Sequence, residues 1–150
     1  MLRFVWHLRG SVQADQAIPR SEIMERIDRL LRSQQKPVSR RGPGEIGFVS
    51  PFWSGLYSSN WLAMIIYDRG RFWIEENDQH RKVRYDLSSL HGLVFCLFGA
   101  AIFFAAGAGS AGLVRGFEYA ALALGWLYGG NMALAWTRIP RLIRKAVETA

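Results

Sequence analysis

Between residues 87 and 114 the chain carries no Asp, Glu, Lys or Arg, and after a patch holding Arg115 and Glu118 a second charge-free run covers residues 119–137. A helix needs about 20 predominantly apolar residues to cross a bilayer core. Residues 90–108 (LHGLVFCLFGAAIFFAAGA) and 117–136 (FEYAALALGWLYGGNMALAW) both meet that requirement. Two buried helices of a soluble core are the alternative, but the rest of the chain has little polar structure with which to cover both. The sequence therefore predicts a two-helix transmembrane hairpin over residues 87–137, with helices at about 88–109 and 113–136. Residues 109–112 (GSAG) form its tight turn.

A short turn puts both hairpin ends on one side, and charge selects the side. Arg81, Lys82 and Arg84 precede the first helix, and Arg138, Arg141, Arg144 and Lys145 follow the second; the turn has only Arg115, three residues from Glu118. Positive charge is retained on the cytoplasmic side. The expectation is a two-pass protein of the inner membrane with both termini cytoplasmic, its seven flanking cations contacting anionic lipid. These cations crowd the membrane edges rather than one recognition helix, so the net charge of +7 reads as membrane bias and not as nucleic-acid binding.

The second helix repeats small residues every four positions, at Ala121, Gly125, Gly129 and Ala133, and the first does so at Ala101, Ala105 and Gly109. Such stripes let backbones approach closely where lipid gives no hydrophobic drive. They either face each other within the chain, which the tight turn favours, or join chains into a homo-oligomer. Asn131 is the polar group inside the second helix and needs a partner across a helix interface. Trp126 and Tyr128 are expected to pack, and His91 is expected at the cytoplasmic interface. Residues 138–150 hold Leu142, Ile143 and Val147 on one side and Arg141, Arg144 and Lys145 on the other. This predicts a short basic amphipathic helix lying on the membrane surface, kinked or restarted at Pro140.

Residues 1–86 hold 14 of the 19 Lys and Arg and 10 of the 12 Asp and Glu, as a cytoplasmic domain would. The alternation over residues 2–12 predicts a strand and residues 10–17 a loop. Ile23, Ile27, Leu30 and Leu31 form a helical stripe capped by Ser21, with Glu22–Arg26, Glu25–Arg29 and Asp28–Arg32 as exposed i,i+4 pairs. Residues 38–41, 45–49, 61–67, 72–76 and 81–85 have strand character, with 68–71 as a hairpin turn. The fold class is α+β: a strand, a helix and an antiparallel meander of about four strands. The aromatic loop 51–60 offers Phe52, Trp53 and Tyr57 as partner contacts.

The three histidines lack metal spacing, no phosphate-binding glycine motif occurs, and the one cysteine, Cys96, lies in the first apolar run. No cofactor is expected. The functional expectation is a membrane-anchored, non-enzymatic interaction module or accessory subunit of a larger inner-membrane complex, with a protein partner or a second copy bound through the second helix. The alternatives are a sensor of anionic lipid or another small anion, using Arg40, Arg41, Lys82, Arg84, Arg141 and Arg144, and a membrane-associated enzyme using His7, His80 or Asp86.

Overall fold

The computed structural model describes residues 7–51, 63, 64, 66–77 and 80–148. The elements run β1 (His7–Ala14), α1 (Arg20–Ser33), β2 (Val38–Gly42), β3 (Glu45–Val49), β4 (Arg69–Asn77), β5 (His80–Ser88), α2 (Leu90–Ala111), α3 (Leu113–Leu124), a π-helical segment (Gly125–Gly130) and α4 (Asn131–Glu148). The five strands form one antiparallel sheet in the order β1-β5-β4-β3-β2. The α+β expectation is met: the meander β2-β3-β4-β5 is present, and β1 closes it against β5 with His7 opposite Ser88 and Ala14 opposite Arg81.

Period-two alternation fixes the two faces of the sheet. Leu8, Val12, Ile46, Phe48, Phe72, Val83, Tyr85 and Leu87 point into one core. The other face carries a ladder of cross-strand ion pairs. Arg9 and His7 meet Asp86 at 2.8 and 2.6 Å, Arg71 meets Glu45 at 2.8 Å, and Arg84 meets Glu75. Arg71 is the main cause holding the Glu45 carboxyl below the usual range, and Arg81 with Arg20 does the same for Glu76.

Several boundaries differ from the sequence reading. Strand β1 runs on to Ala14 through the stretch expected as loop, and the expected portion at residues 2–6 lies outside the described residues. Residues 68–71 are not a hairpin turn, because β4 begins at Arg69 and runs on through Arg71. Gly70 signals tight packing here and not reversal: a Cβ on it would meet the Phe48 ring, and Leu87 Cδ2 at 2.6 Å. Of the apolar stretch 61–67, the described residues Ala63, Met64 and Ile66 are in turn conformation. Met64 and Tyr67 are fully buried, so this hydrophobicity fills the core without extending the sheet.

The largest departure concerns the C-terminal tail. It is not a separate membrane-surface helix: α4 continues through Pro140 to Glu148. Its apolar side, Ala135, Ile139, Ile143 and Val147, belongs to the same core as the sheet and α1. A sheet face and a helix stripe each require a covering layer, and α1 alone leaves the β1 side open. Helix α4 closes it. Arg26 of α1, expected on the exposed side, is buried there and donates to the Val147 carbonyl at 2.7 Å while holding Glu22 at 2.7 Å. Residues 1–86 therefore share their core with the end of the chain. The Asp28–Arg32 pair also forms, at 2.9 Å, but Ser21 does not cap α1, whose N-cap position is Pro19.

Helix α2 spans 22 residues and is long and apolar enough to cross a membrane. The returning arm is helical from Leu113 to Glu148 but is divided by the π segment, so α2 is the one helix among the described residues that passes that test uninterrupted. The two arms are joined at Gly112 alone, and α2 and α3 pack along each other with Phe104 and Phe117 edge to face at 4.9 Å.

Candidate functional site

The sheet domain and the helical arms meet at a cluster of buried polar groups. Helix α1 ends in a Schellman turn: the Lys36 N–H donates to Leu31 O at 2.8 Å and the Gln35 N–H to Arg32 O at 3.0 Å. Gln35 occupies the left-handed position, at φ 55°, which glycine fills at least cost. Gln35→Gly is expected to stabilise the fold by about 1 kcal/mol, measured by denaturant unfolding in detergent.

The turn swings Lys36 inward. Its side chain is 7% exposed, its Nζ donates to the Tyr67 carbonyl at 2.8 Å, and the ammonium lies 5.6 Å from the centre of the Phe48 ring. Burial lowers its pKa from 10.5 to about 8, with nearby Asp68 opposing the drop. Next to Tyr67, the buried Asp68 carboxylate faces the first turn of α2. Its Oδ1 lies 3.5 Å from the His91 backbone N–H and its Oδ2 lies 4.0 Å from His91 Nδ1. A carboxylate at a helix N-terminus offsets the unpaired N–H groups there. At the residue just before α2, fully buried Ser89 shares a hydrogen bond of 3.0 Å with Tyr128 in the π segment, and its hydroxyl lies 3.7 Å from Met132 Sδ. The Tyr67 hydroxyl also reaches Met132 Sδ, at 4.0 Å, and burial holds its phenol above the usual tyrosine range.

These contacts tie the end of α1, the start of β4, the start of α2 and the returning arm into one joint. Lys36 gives the joint a pH signature. The unfolded lysine keeps its proton up to about pH 10.5 and the folded one up to about pH 8. Between these values the unfolded state binds more protons, so stability rises with pH. Tyr67 and Tyr85, both raised by burial, reverse the trend above about pH 10. Lys36→Met is expected to be about 2 kcal/mol more stable than wild type at pH 7 and to lose the rising limb, as read from chemical unfolding at pH 7, 9 and 10.

The expected site residues are placed as follows. Ala101, Ala105, Gly109, Ala121, Gly125, Gly129 and Ala133 are all exposed, and nothing lies within 4 Å of a Cβ built on Gly109, Gly125 or Gly129. The two stripes therefore do not face each other, as the tight turn was expected to make them do. The close approach is between Gly107 and Gly116: a Cβ on Gly107 would lie 3.0 Å from Gly116 Cα, and one on Gly116 would lie 2.9 Å from Phe104 O. With the α-helical period of 3.6, spacing by four drifts around the helix, and the wider i→i+5 turn of the π segment holds the second stripe closer to one line. Asn131 does not reach across an interface: its Nδ2 donates to Leu127 O on its own helix. Trp126 points outward, 82% exposed, while Tyr128 turns inward to Ser89. The Arg115–Glu118 pair forms as expected, at 2.7 Å.

The flanking cations are not gathered at one rim. Arg81 sits near the far end of β5, about 23 Å along the strand from Ser88. It is held by Glu76 at 2.6 Å and by Ile18 O. Lys82 lies opposite Gln13 and Glu75, and Arg84 pairs with Glu75. Arg138, Arg141, Arg144 and Lys145 are exposed along α4, with Arg144 about 18 Å beyond the level of Met132. The cation beside the start of α2 is instead Arg69, opposite Ser88. Phe52, Trp53 and Tyr57 lie outside the described residues. His7 and Asp86 are brought together on the open sheet face, and His80 is at the far hairpin, opposite Asn77. No group of three metal-ligating side chains occurs among the described residues.

Lys36 and Asp68 were not singled out in the sequence. Their only local signal is a charge at the edge of an apolar stretch: Lys36 before Pro37 and Val38, and Asp68 directly after residues 61–67. No family model matches the chain, and no curated protein or solved structure matches it.

Proposed function

We propose that the chain is an integral, non-enzymatic membrane module whose helical arms form a two-pass hairpin and whose sheet domain binds a protein partner at the cytoplasmic face of the inner membrane. The observation that carries this reading is where the apolar surface lies. The core of the sheet domain is closed by α1 and α4, whereas Phe95, Phe98, Ile102, Val114, Phe117, Leu122 and Trp126 stand exposed along the arms. An aqueous monomer does not sustain a contiguous apolar surface of that extent, and a lipid environment removes the cost. The π segment shortens no backbone hydrogen-bonding capacity that lipid would leave unmet, since its groups bond along the same helix and Asn131 adds a bond to Leu127 O.

Both ends of the hairpin connect directly to the sheet domain, α2 through Ser88 of β5 and the returning arm through α4 in the core. Both arms would therefore enter from one side, and the positive-inside bias of the chain would make that side, with both termini, cytoplasmic; the exposed stripe at Ala121, Gly125, Gly129 and Ala133 is free to pack on a second copy or another membrane subunit. Anionic lipid would face Arg69 and Arg138 near the base of the arms.

Single-cysteine labelling tests the topology in a background with Cys96→Ala. Gly112→Cys should react with an impermeant maleimide in intact cells, and Glu148→Cys only after permeabilisation; equal reaction of both before permeabilisation contradicts the hairpin. Native mass after mild detergent extraction tests the interaction role. A mass above the monomer is expected, and a free monomer under every gentle condition would rule the module reading out.

A further inference from the structure

We propose that strand β2 and the cleft beside it take up an acidic, extended segment of a partner protein, which joins the sheet as a sixth strand. This deepens the interaction-module reading by naming the partner's chemistry. Among the described residues, strand β2 is an edge of the sheet. A strand paired on one side only turns alternate N–H and C=O groups outward, where an incoming chain can bond them.

A cleft of about 450 Å³ runs along this edge, between β2 and α1. Arg32, Arg40 and Arg41 line it, with side chains 73%, 73% and 64% exposed. Their charge is under-neutralised. Arg32 and Arg41 share one oxygen of Asp28, at 2.9 and 2.8 Å, and Arg40 lies 3.6 Å from Glu45, which Arg71 also holds at 2.8 Å. Carboxylates at alternate positions of an added strand, all on its α1 side, would complete Arg32 and Arg41; Arg40, one residue from Arg41, lies on the opposite face with Glu45.

The second observation is Asp28 itself. It is 8% exposed, it lines the cleft, and its Oδ1 has no hydrogen-bond donor among the described residues. A buried acceptor left without a donor is costly. A phosphate polyanion brings no donor to it, whereas the backbone N–H of a peptide does. A second copy of this chain does not fit either, because β2 against β2 would set Arg40 and Arg41 against their own counterparts.

The test uses the full chain in mild detergent and a fluorescent, end-blocked peptide of four Glu-Val repeats, followed by anisotropy. This peptide should bind about tenfold or more tightly than its Lys-Val counterpart. The same peptide N-methylated at its valines keeps every charge but loses donors, and should bind about tenfold or more weakly. The double variant Arg32→Glu with Arg41→Glu should weaken the Glu-Val peptide by a similar factor. Equal binding of the N-methylated peptide, or of a polyphosphate of matched charge, would overturn the proposal in favour of a plain anion surface. Unchanged binding by the double variant would overturn it as well. The peptide comparisons need no mutation, so they decide the matter even where the variant does not fold, and none depends on whether a partner co-purifies.

Discussion

Ile143→Ala is expected to lower the stability of the sheet domain by about 3 kcal/mol, and Ile143→Asp to prevent its folding, because an unpaired charge would enter the core. Ile143 is fully buried, yet it lies more than fifty residues beyond the last strand, on the far side of both apolar runs. It reaches the sheet only because the returning arm brings α4 back across β1 and α1. Far-UV circular dichroism and urea unfolding in detergent measure the effect. Arg144→Ala, on the exposed side of the same helix turn, is the internal control and should change stability by less than about 0.5 kcal/mol. If Ile143 were anchored in lipid headgroups, the alanine change would release the tail and leave the strands as stable as before.

Gly116→Leu is the second large effect. A Cβ at this position already meets Phe104 O at 2.9 Å and the Ala108 backbone N at 3.0 Å. These are backbone atoms of α2, which cannot move aside as a flexible side chain can. The arms must separate, and the cost is expected to be about 3 kcal/mol, read as a lower thermal midpoint in detergent. Gly125→Leu is the contrasting change. Among the described residues, nothing beyond its own stretch of helix lies within 4 Å of a Cβ built there, so the isolated chain should tolerate it. It should instead reduce the mass of any native assembly that uses the exposed small-residue stripe. Loss of that assembly with an unchanged thermal midpoint would separate the interface between chains from the contact within one.

Much of the sheet was legible because alternation and turn chemistry are local. Strand β3 sits where its pattern placed it, and the Ile23, Ile27, Leu31 stripe is fully buried as its spacing required. What could not be read was which surface each apolar face would meet. The Leu142, Ile143 and Val147 side of α4 has the composition of a membrane-surface helix, and the same composition serves a protein core. Only the sheet's need for a second covering helix decides between them. Residues 61–67 failed for a related reason: hydrophobicity records burial and does not record extension. The small-residue stripes were visible, but the contact within the chain went to Gly107 and Gly116, which lie outside the two stripes singled out. The π segment also altered the angular relation between the two halves of the returning arm. The joint of Lys36, Asp68, Ser89 and Tyr128 was illegible because three of its members lie in separate connections and the fourth in the π segment, and no spacing rule links them.

The sheet domain and the helical arms form one body through α4. Hydrogen exchange in mild detergent, comparing the full chain with one ending at Thr137, tests this most directly. Slow-exchanging amides in β1, β5 and α1 of the full chain should become fast in the shortened one, since Ile139, Ile143, Val147 and the carbonyl held by Arg26 are all removed. Unchanged protection of those strands after the truncation would contradict it.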